Sequence, residues 1–324
     1  MSHPSNNGLA GTRILVASRS FGPNCPEAVA ALNAAGCEVV WPFEKKPSEE
    51  QLLAVAPEFD AIVSGTEKLS ARVLDACPRL RVISKHGVGV ENIDVAHAKT
   101  RGIAVCVAGN AIDDSVADMT WALLLALARN IVASHADVAA GKWTRFVGVE
   151  LSGRTLGIIG LGHIGKAVAR RASGFGVRVL AFDLVRDDAF AREWDIGYVP
   201  REELLARSDF VSLHLSVTPR TRNLVDAAFL RAMKRTALLL NSARGELVDE
   251  EALAAALRDG VIAGAATDVF RKEPPGPSPL LALPNFIATA HLGGQTDAGL
   301  RKMGEVCAEN VLRVLRHEAP LHQV

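Results

Sequence analysis

The chain has 324 residues, 49% of them hydrophobic, which is enough to build the cores of two domains of ordinary size. Lysine plus arginine and aspartate plus glutamate number 36 each, which excludes the global positive charge of many proteins that bind nucleic acid or anionic membranes. The five cysteines form no C-x-x-C pair. This pattern predicts reduced, mostly buried thiols, a cytoplasmic protein and no metal site.

No segment indicates targeting to a membrane. Residues 1–13 are polar and lack the apolar centre of a signal peptide. The longest apolar run, Met119 to Ala128, is about half as long as a bilayer requires, and Arg129 follows it. We interpret this run as a core helix of a protein without a membrane span.

Residues 12–84 alternate between strand-like and helix-like segments. Strands are predicted at 14–17, 38–41, 61–64 and 82–84. Helices are predicted at 26–35, 48–56 and 70–76. Such alternation predicts a mostly parallel sheet with helices on both faces. A long helix is then expected over 116–130, with the acidic residues 113–114 at its N-terminus and a hinge at Gly109-Asn110.

The segment 155–183 carries the strongest motif of the sequence. An apolar strand is followed by Gly160, Gly162 and Gly165 in G-x-G-x-x-G spacing, and a helical pattern follows. In a dinucleotide site, Gly160 permits the tight turn, Gly162 lets the backbone approach the pyrophosphate, and Gly165 lets helix and strand pack closely. The helix N-terminus then offers N–H groups to the phosphates. These features together predict nucleotide binding.

The end of the second strand, residues 177–182, specifies the nucleotide. Asp183 follows it, and a carboxylate there accepts both ribose hydroxyls and repels a 2′-phosphate. We therefore predict NAD as the cofactor, although Arg186 nearby would soften the preference over NADP.

The second half continues the same alternation. Strands are predicted at 210–215, 238–240, 264–267 and 286–289. Helices are predicted at 201–207, 227–233, 249–259 and 296–316. The prolines of 274–279 indicate a surface loop, and Gly293-Gly294 indicates a second hinge, after which the last helix returns to the first domain.

The expected fold is therefore α/β, with two Rossmann-like, doubly wound parallel-sheet domains separated by a cleft. Residues 1–107 and 294–324 form a discontinuous, flavodoxin-like substrate domain, and residues 108–293 form the NAD-binding domain.

Three polar residues follow predicted strands, where open α/β sheets bind ligands. Arg244 can hold a substrate carboxylate bidentately, His291 can exchange a proton with a hydroxyl, and Glu273 can raise the pKa of that imidazole. This set suits hydride transfer at a 2-oxo acid. From spacing alone, each residue also has a structural interpretation. Arg244 could form an ion pair within its loop, Glu273 could be a solvated surface charge, and His291 could be a buried histidine with its hydrogen bonds satisfied.

Six segments, in this order, resemble the D-isomer-specific 2-hydroxyacid dehydrogenase family. They are KHGVGVENID, ELSGRTLGIIGLGHIGKAVA, HLSVTPRTRNLV, LLLNSARGELVDEEAL, AATDVFRKEP and HLGGQT. The resemblance implies that Arg244 binds substrate, that His291 is the acid/base and that Glu273 is its carboxylate partner.

The resemblance also implies a set of binding residues. Val88 and Gly89 would present N–H groups to the substrate carboxylate, and Ser242 and Asp268 would lie beside the nicotinamide. The other residues implied to contact the cofactor are His163, Ile164, Leu215, Ser216, Thr221, Ala243 and Gly293.

The substrate is predicted less closely. The motifs look most like the phosphoglycerate dehydrogenase branch, so the best candidate pair is 3-phosphoglycerate and 3-phosphohydroxypyruvate, with Lys85 among the cations that would bind phosphate. Ser64, also assigned to the substrate site, stands where some of those enzymes carry arginine, and this weakens that candidate. Because the sequence ends at Val324, we expect no C-terminal regulatory domain.

Other functions remain open at this point. One is a glyoxylate or hydroxypyruvate reductase. Another is an NADH-sensing binding protein like the corepressors of this group, and a third is formate or phosphite oxidation. The helix after Asp114 and the segment around Trp143 resemble the family's dimer contact, so a homodimer is expected.

Overall fold

The computed structural model describes residues 8–324, so the prediction about the N-terminus falls partly on residues outside the described range. The chain forms two compact units. Unit 1 comprises the residues up to Ile112 together with Gly294–Val324, and unit 2 comprises Asp113–Gly293. The first break thus lies at Ile112, whereas the sequence pattern puts it after residue 107.

Unit 1 contains a sheet of five parallel strands in the order β2-β1-β3-β4-β5. The strands are β1 (Arg13–Val16), β2 (Glu38–Val40), β3 (Ala61–Ser64), β4 (Val82–Lys85) and β5 (Ala104–Cys106). The helices between them are α1 (Pro26–Ala34), α2 (Glu49–Val55), α3 (Ala71–Asp75) and α4 (Val95–Thr100). The strand order reverses between β1 and β3, as in flavodoxin-like sheets.

Local sequence explains where the helices of unit 1 begin. The hydroxyl of Ser48 accepts a hydrogen bond from the N–H of Gln51, whose side chain in turn accepts from the N–H of Ser48, and this reciprocal cap starts α2. Ser70 caps α3 with a single bond, which its hydroxyl accepts from the N–H of Val73. Both helices lie within the ranges predicted from the sequence.

Unit 2 contains a sheet of seven parallel strands in the order β12-β11-β10-β9-β6-β7-β8. The strands are β6 (Thr155–Ile159), β7 (Arg178–Phe182), β8 (Ile196–Tyr198), β9 (Phe210–Leu213), β10 (Leu238–Asn241), β11 (Gly264–Thr267) and β12 (Phe286–Ala288). The helices are α5 (Asp113–Ala128), α6 (Ile131–Ala139), α7 (His163–Ala172), α8 (Asp188–Glu193), α9 (Arg201–Arg207), α10 (Ala227–Ala232) and α11 (Glu250–Arg258). The order reverses between β6 and β9, which is the Rossmann switch point where ligands bind.

The last helix, α12 (Asp297–Leu315), belongs to unit 1 and packs against α1 and β4. Thr296 caps it by accepting a hydrogen bond from the N–H of Gly299. Two parallel-sheet α/β units, one of them discontinuous in sequence, confirm the predicted fold class.

Helix α5 lies in the core of unit 2, where Trp121, Leu123 and Leu124 are buried. The interpretation of 119–128 as a core helix is therefore confirmed. The helix begins at Asp113 rather than after it, so the two acidic residues occupy its first turn. Within residues 8–324, no single helix is long and apolar enough to cross a membrane, although the bent pair α5–α6 meets that test by length and composition. The five cysteines are free and buried, as expected.

Candidate active site

The glycine turn after β6 shows why the motif needs its spacing. Gly160 has φ +97°, and a Cβ there would lie 2.4 Å from the carbonyl oxygen of His214. A Cβ on Gly165 would lie 2.1 Å from the carbonyl oxygen of Gly160. Around Gly162, in contrast, a Cβ would meet nothing within 4 Å. Two glycines are therefore required by packing, and the third leaves open space where a pyrophosphate would approach.

Helix α7 begins in that space. Its N-cap is Gly162, which provides no side-chain cap for the first N–H groups of the helix. An uncapped N-terminus with space in front of it binds anions, because the N–H groups and the helix dipole both attract negative charge. The residues present therefore fit the phosphates of a dinucleotide.

Asp183 is fixed at the end of β7. Its Oδ2 accepts a hydrogen bond from the N–H of Leu161 at 2.7 Å, and its Oδ1 accepts one from the N–H of Val185 at 2.9 Å. The carboxylate thus lies next to the glycine turn. The guanidinium of Arg186 donates a hydrogen bond to the Asp188 carboxylate at 2.8 Å. It also stacks on the Tyr198 ring, 4.6 Å from the ring centre.

The other predicted cofactor residues follow β6, β9 and β10 at the same sheet edge. His163 is exposed, with its Nδ1 3.8 Å from the carboxylate of Asp113, and Ile164 packs on the core. The hydroxyl of Thr221 donates to the carbonyl of Ser216 at 2.8 Å, closing the loop that starts at Leu215. After β10, the N–H of Ala243 donates to the side chain of Asn241 at 3.1 Å.

The loop after β12 is built around the buried carboxylate of Asp268. Its Oδ1 accepts from the hydroxyl of Thr289 at 2.6 Å and from the N–H of Leu292 at 2.7 Å, and its Oδ2 accepts from the N–H of Gly293 at 2.7 Å. The N–H of His291 also donates to the carbonyl of Asp268 at 2.9 Å. These bonds hold His291 at φ +54°, a conformation that is uncommon for a residue other than glycine.

His291 and Glu273 form a pair. The Nδ1 of His291 lies 2.9 Å from Oε2 of Glu273, and Oε1 of Glu273 accepts from the N–H of Phe270 at 3.1 Å. The hydrogen bond to Glu273 raises the pKa of His291, while burial opposes the rise. Burial acts to raise the pKa of Glu273, but the hydrogen bond and charge of His291, the N–H of Phe270 and the charge of Arg244 together shift it downward. The imidazole of His291 therefore stays protonated to higher pH than that of a free histidine.

Arg244 lies beside this pair. It follows β10, and Gly245 packs so closely on the segment after β11 that a Cβ there would lie 2.0 Å from the backbone of Phe270. The charge of Arg244 acts on both members of the pair and lowers the pKa of Glu273 and that of His291. The structure thus brings the guanidinium, the carboxylate and the imidazole within electrostatic reach of one another in unit 2.

The residues predicted to bind substrate from unit 1 differ in their accessibility. Val88 and Gly89 are partly exposed, whereas Ser64 is completely buried in β3. Lys85 is also buried, and its Nζ donates to Oδ1 of Asn92 at 2.8 Å and to the carbonyl of Gly65. Its ammonium group therefore holds backbone and amide oxygens of the same unit.

Sequence reasoning did not single out Glu67, Asn92 or Thr120. Both carboxylate oxygens of Glu67 accept from the N–H of Gly65, and Nδ2 of Asn92 donates to the carbonyls of Gly65 and Glu67. Asn92 lies in the KHGVGVENID motif, so the sequence contained a signal, but the carbonyl groups to which its Nδ2 donates are backbone atoms that no side-chain pattern reveals. Within residues 8–324, no group of three or more histidine, cysteine, aspartate or glutamate side chains could hold a metal ion.

Comparison with known proteins agrees with this geometry. Residues 121–293 match the model for the D-isomer specific 2-hydroxyacid dehydrogenase, NAD binding domain. The chain is 42% identical to a glyoxylate reductase of Korarchaeum cryptofilum, over 87% of each chain. It is also 42% identical to a D-3-phosphoglycerate dehydrogenase of Methanocaldococcus jannaschii, over 84% of this chain and 52% of the relative.

A solved structure is similar throughout. The glyoxylate reductase of Paecilomyes thermophila superposes with a TM-score of 0.86 at 28% identity, covering 97% of this chain and 98% of the other. With the nucleotide turn, the Asp183 carboxylate and the His291–Glu273 pair in place, these similarities establish that the chain belongs to the D-isomer-specific 2-hydroxyacid dehydrogenase family, and it is an NAD-dependent oxidoreductase acting on 2-hydroxy acids.

Proposed function

We propose that this enzyme reduces a small, unphosphorylated 2-oxo acid, with glyoxylate and hydroxypyruvate as the first candidates. The observation that carries the proposal is the position of Lys85. Its buried Nζ donates to Gly65 and Asn92, so it serves the loop rather than a phosphate group of the substrate. The buried Ser64 at the end of the neighbouring strand contributes no cation either.

The residues of unit 2 have roles that follow from their chemistry. Arg244 binds the substrate carboxylate with its two-pronged guanidinium and polarises the adjacent carbonyl. His291 gives a proton to the oxygen that becomes the hydroxyl, and takes it back in the oxidative direction. Glu273 holds the imidazole through the 2.9 Å bond and favours its protonated form. When bound, NADH supplies the hydride for C2.

In unit 1, Val88 and Gly89 keep the predicted role of donating backbone N–H groups to the substrate carboxylate. Within the described part of the chain, neither N–H group donates a hydrogen bond to another residue. Two free donors on successive residues suit a carboxylate, which accepts several hydrogen bonds. The ammonium group of Lys85 supports this loop through Asn92.

The 3-phosphohydroxypyruvate reaction remains the second candidate. It is supported by the similarity to the D-3-phosphoglycerate dehydrogenase of Methanocaldococcus jannaschii. The two candidates differ by one dianionic group, so the cations near the substrate loop decide between them. Lys68, which is exposed, would be the cation to bind the phosphate if this candidate is right.

A steady-state NADH-oxidation screen tests the proposal. The panel is glyoxylate, hydroxypyruvate, 3-phosphohydroxypyruvate, oxaloacetate and 2-oxoglutarate, with D-2-hydroxy acids and NAD⁺ for the reverse direction. We expect kcat/KM for glyoxylate or hydroxypyruvate to exceed that for 3-phosphohydroxypyruvate. The opposite order, together with its loss in Lys68→Met but not in a Lys272→Met control, would establish the phosphorylated substrate instead.

We also propose that the protein is a homodimer. Helix α6 has no buried residue, yet it and the segment after it carry large apolar side chains, which is unusual for a surface that faces water. The most exposed of these are Ile131, Val132, Val138, Trp143 and Val147. Light scattering should give twice the chain mass, and Val132→Glu combined with Val138→Glu should give monomers if this surface pairs with a second copy.

A further inference from the structure

One arginine in unit 2 connects three loops at the edge of the sheet. Arg271 follows β11 and lies two residues before Glu273. Its Nε and Nη2 donate to the carbonyl of Val248 at 2.8 and 2.6 Å, and its Nη2 also donates to Oδ1 of Asn223. Asn223 follows β9 and Val248 follows β10. A single guanidinium therefore binds the loops that follow two other strands.

The main chain of the same residue is held as well. The N–H of Arg271 donates to Oε1 of Glu250, in the first turn of α11, at 3.0 Å. A Cβ on Gly245 would lie 2.3 Å from the backbone nitrogen of Arg271, so the turn after Arg244 packs directly on this segment. The loop that carries Glu273 is therefore held against the loop that carries Arg244 both by backbone packing and by the Arg271 side chain.

The contribution of Arg271 is to attach the third loop. The loops after β9 and β10 are joined without it, because the N–H of Asn223 donates to the carbonyl of Glu246 at 2.9 Å. A guanidinium donates several hydrogen bonds from a rigid plane and stays charged throughout the pH range in which enzymes work. Its bonds therefore hold the loop of Glu273 on the other two at every pH at which the reaction is measured.

We propose that Arg271 is a positioning residue for the acid/base chemistry, because its bonds to the two neighbouring loops keep Glu273 at hydrogen-bond distance from His291. This inference rests on the proposed function, in which the imidazole exchanges a proton with the substrate. The bond from the N–H of Phe270 to Glu273 lies inside the loop and moves with it. The loop of His291 is bound instead to Asp268, so the segment between Asp268 and Glu273 needs an anchor of its own.

The groups around His291 make a positioning role distinguishable from a direct effect of the Arg271 charge. The hydrogen bond to Glu273 is the main cause that raises the pKa of His291, burial opposes it, and the charges of Asp268 and Arg244 raise and lower it respectively. If the anchor is lost, the bond to Glu273 weakens and the pKa of the imidazole should fall. Removal of a positive charge that acted directly on the imidazole would instead raise its pKa.

The test uses the full-length wild type, Arg271→Met, Asn223→Gly, Asn223→Asp and Lys272→Met. The pKa of His291 is measured by NMR titration of protein labelled at histidine, with His291→Gln to assign its signal, and kcat, KM and melting temperature are measured on the same proteins. Asn223 has φ +55°, which glycine and aspartate adopt readily, so its two variants change the acceptor without straining the backbone. Lys272 is the exposed neighbour and controls for the loss of a positive charge.

The expected results differ for each variant. Arg271→Met should lower kcat/KM for reduction about 10- to 100-fold, mainly through kcat, since a misplacement of about 1 Å can cost about 100-fold. The pKa of His291 should fall, and the falling limb of the pH profile should move to lower pH with it. Asn223→Gly should cause the same changes to a smaller extent, because the bonds to Val248 remain, and Asn223→Asp should restore the acceptor and the activity. Lys272→Met should match the wild type.

An unchanged pKa of His291 in Arg271→Met, with only a lower melting temperature, would overturn the proposal and leave Arg271 a structural role. A raised pKa would also overturn it and assign the effect to charge. If Arg271→Met does not fold, Asn223→Gly decides among the same outcomes. A lowered pKa in Arg271→Met, in a protein whose wild type turns over no 2-oxo acid, would support the positioning role and count against the proposed function alone.

Discussion

Both units have a parallel sheet whose strand order reverses at a switch point, but the helices that begin there differ in their first turns. In unit 2, α7 begins at Gly162 with no side-chain cap and open space in front of its N–H groups. In unit 1, α1 begins with Pro26, which has no N–H, and Glu27 places a negative charge in the first turn. The N-terminus of α7 therefore attracts a phosphate, whereas that of α1 repels it. The two parallel sheets thus present helix N-termini with different attraction for a phosphate.

Two histidines extend the comparison from binding to chemistry. His86 follows β4 in unit 1, is buried, and its Nδ1 lies 2.8 Å from the hydroxyl of Ser20, a neutral partner. Burial lowers its pKa to about 4, so it is neutral at physiological pH. His291 follows β12 in unit 2 and faces the carboxylate of Glu273, which raises its pKa. Histidine is therefore neutral beside the hydroxyl in unit 1, whereas in unit 2 the carboxylate raises its pKa, which suits the acid/base role proposed for His291.

The largest expected effect comes from removing the proton carrier. His291→Ala should lower kcat for reduction about 10²- to 10⁴-fold, the usual contribution of a general acid, with little change in the Kd for NADH. His86→Gln is the matched substitution in unit 1 and should change kcat less than about tenfold. Steady-state and binding measurements on both variants check this. Near-normal turnover by His291→Ala would make the acid/base assignment wrong.

The open space at Gly162 allows a binding test with little effect on folding. In Gly162→Ala the new methyl group meets no protein atom within 4 Å but fills the space proposed for the pyrophosphate. We expect NADH to bind about 10- to 100-fold more weakly, because hydrogen bonds to charged groups contribute about 1.5–3 kcal/mol. Gly174→Ala, at another glycine with open space in unit 2, is the control and should leave Kd and melting temperature unchanged.

In unit 1, the buried side chain of Lys85 and that of Asn92 form hydrogen bonds near the ends of β3 and β4, so substitution there should affect stability. Lys85→Met removes the donor to Oδ1 of Asn92 and one of the two donors to the carbonyl of Gly65. It should lower the free energy of unfolding by about 1–3 kcal/mol, the cost of a buried acceptor left without its partner. Lys68→Met, at an exposed site in the same unit, should change it by less than about 0.5 kcal/mol. Urea denaturation measures both. A selective loss of 3-phosphohydroxypyruvate turnover in Lys85→Met would instead support the phosphate-binding role first expected for this residue.

These differences define what the sequence predicts and what it does not. The turn at 155–183 was predictable because every contact that requires glycine is made within a few residues or to the adjacent strand. Helix α6 was not predicted, because its apolar residues Ile131 and Val132 face outward and mark no core face. The three-residue strand β8 is too short to show a period.

The site shows the same division. Residues following strand ends were predictable, since parallel strands bring their carboxyl ends to one edge. The hydrogen bonds that hold these residues in place were not predictable, because Lys85 and Asp268 bind backbone groups, which the sequence pattern does not reveal. The hydroxyl groups of Thr120 and Ser242, whose oxygens lie 2.6 Å apart, are likewise separated by 122 positions, and no local pattern links them.

The smallest expected effect is a shift of the pH profile, and it tests the origin of the difference between the two histidines. In the proposed mechanism reduction requires protonated His291, so we expect kcat/KM for the 2-oxo acid to fall as pH rises through the pKa of the imidazole. Glu273→Gln removes the charge that raises this pKa, while Asp268 still raises it and Arg244 still lowers it. The falling limb for reduction, and the rising limb for oxidation, should therefore both move to lower pH. Glu250→Gln, whose carboxylate accepts instead from the N–H of Arg271, should leave both limbs in place. An unchanged profile in Glu273→Gln would mean that the charge of Glu273 does not set the protonation of His291.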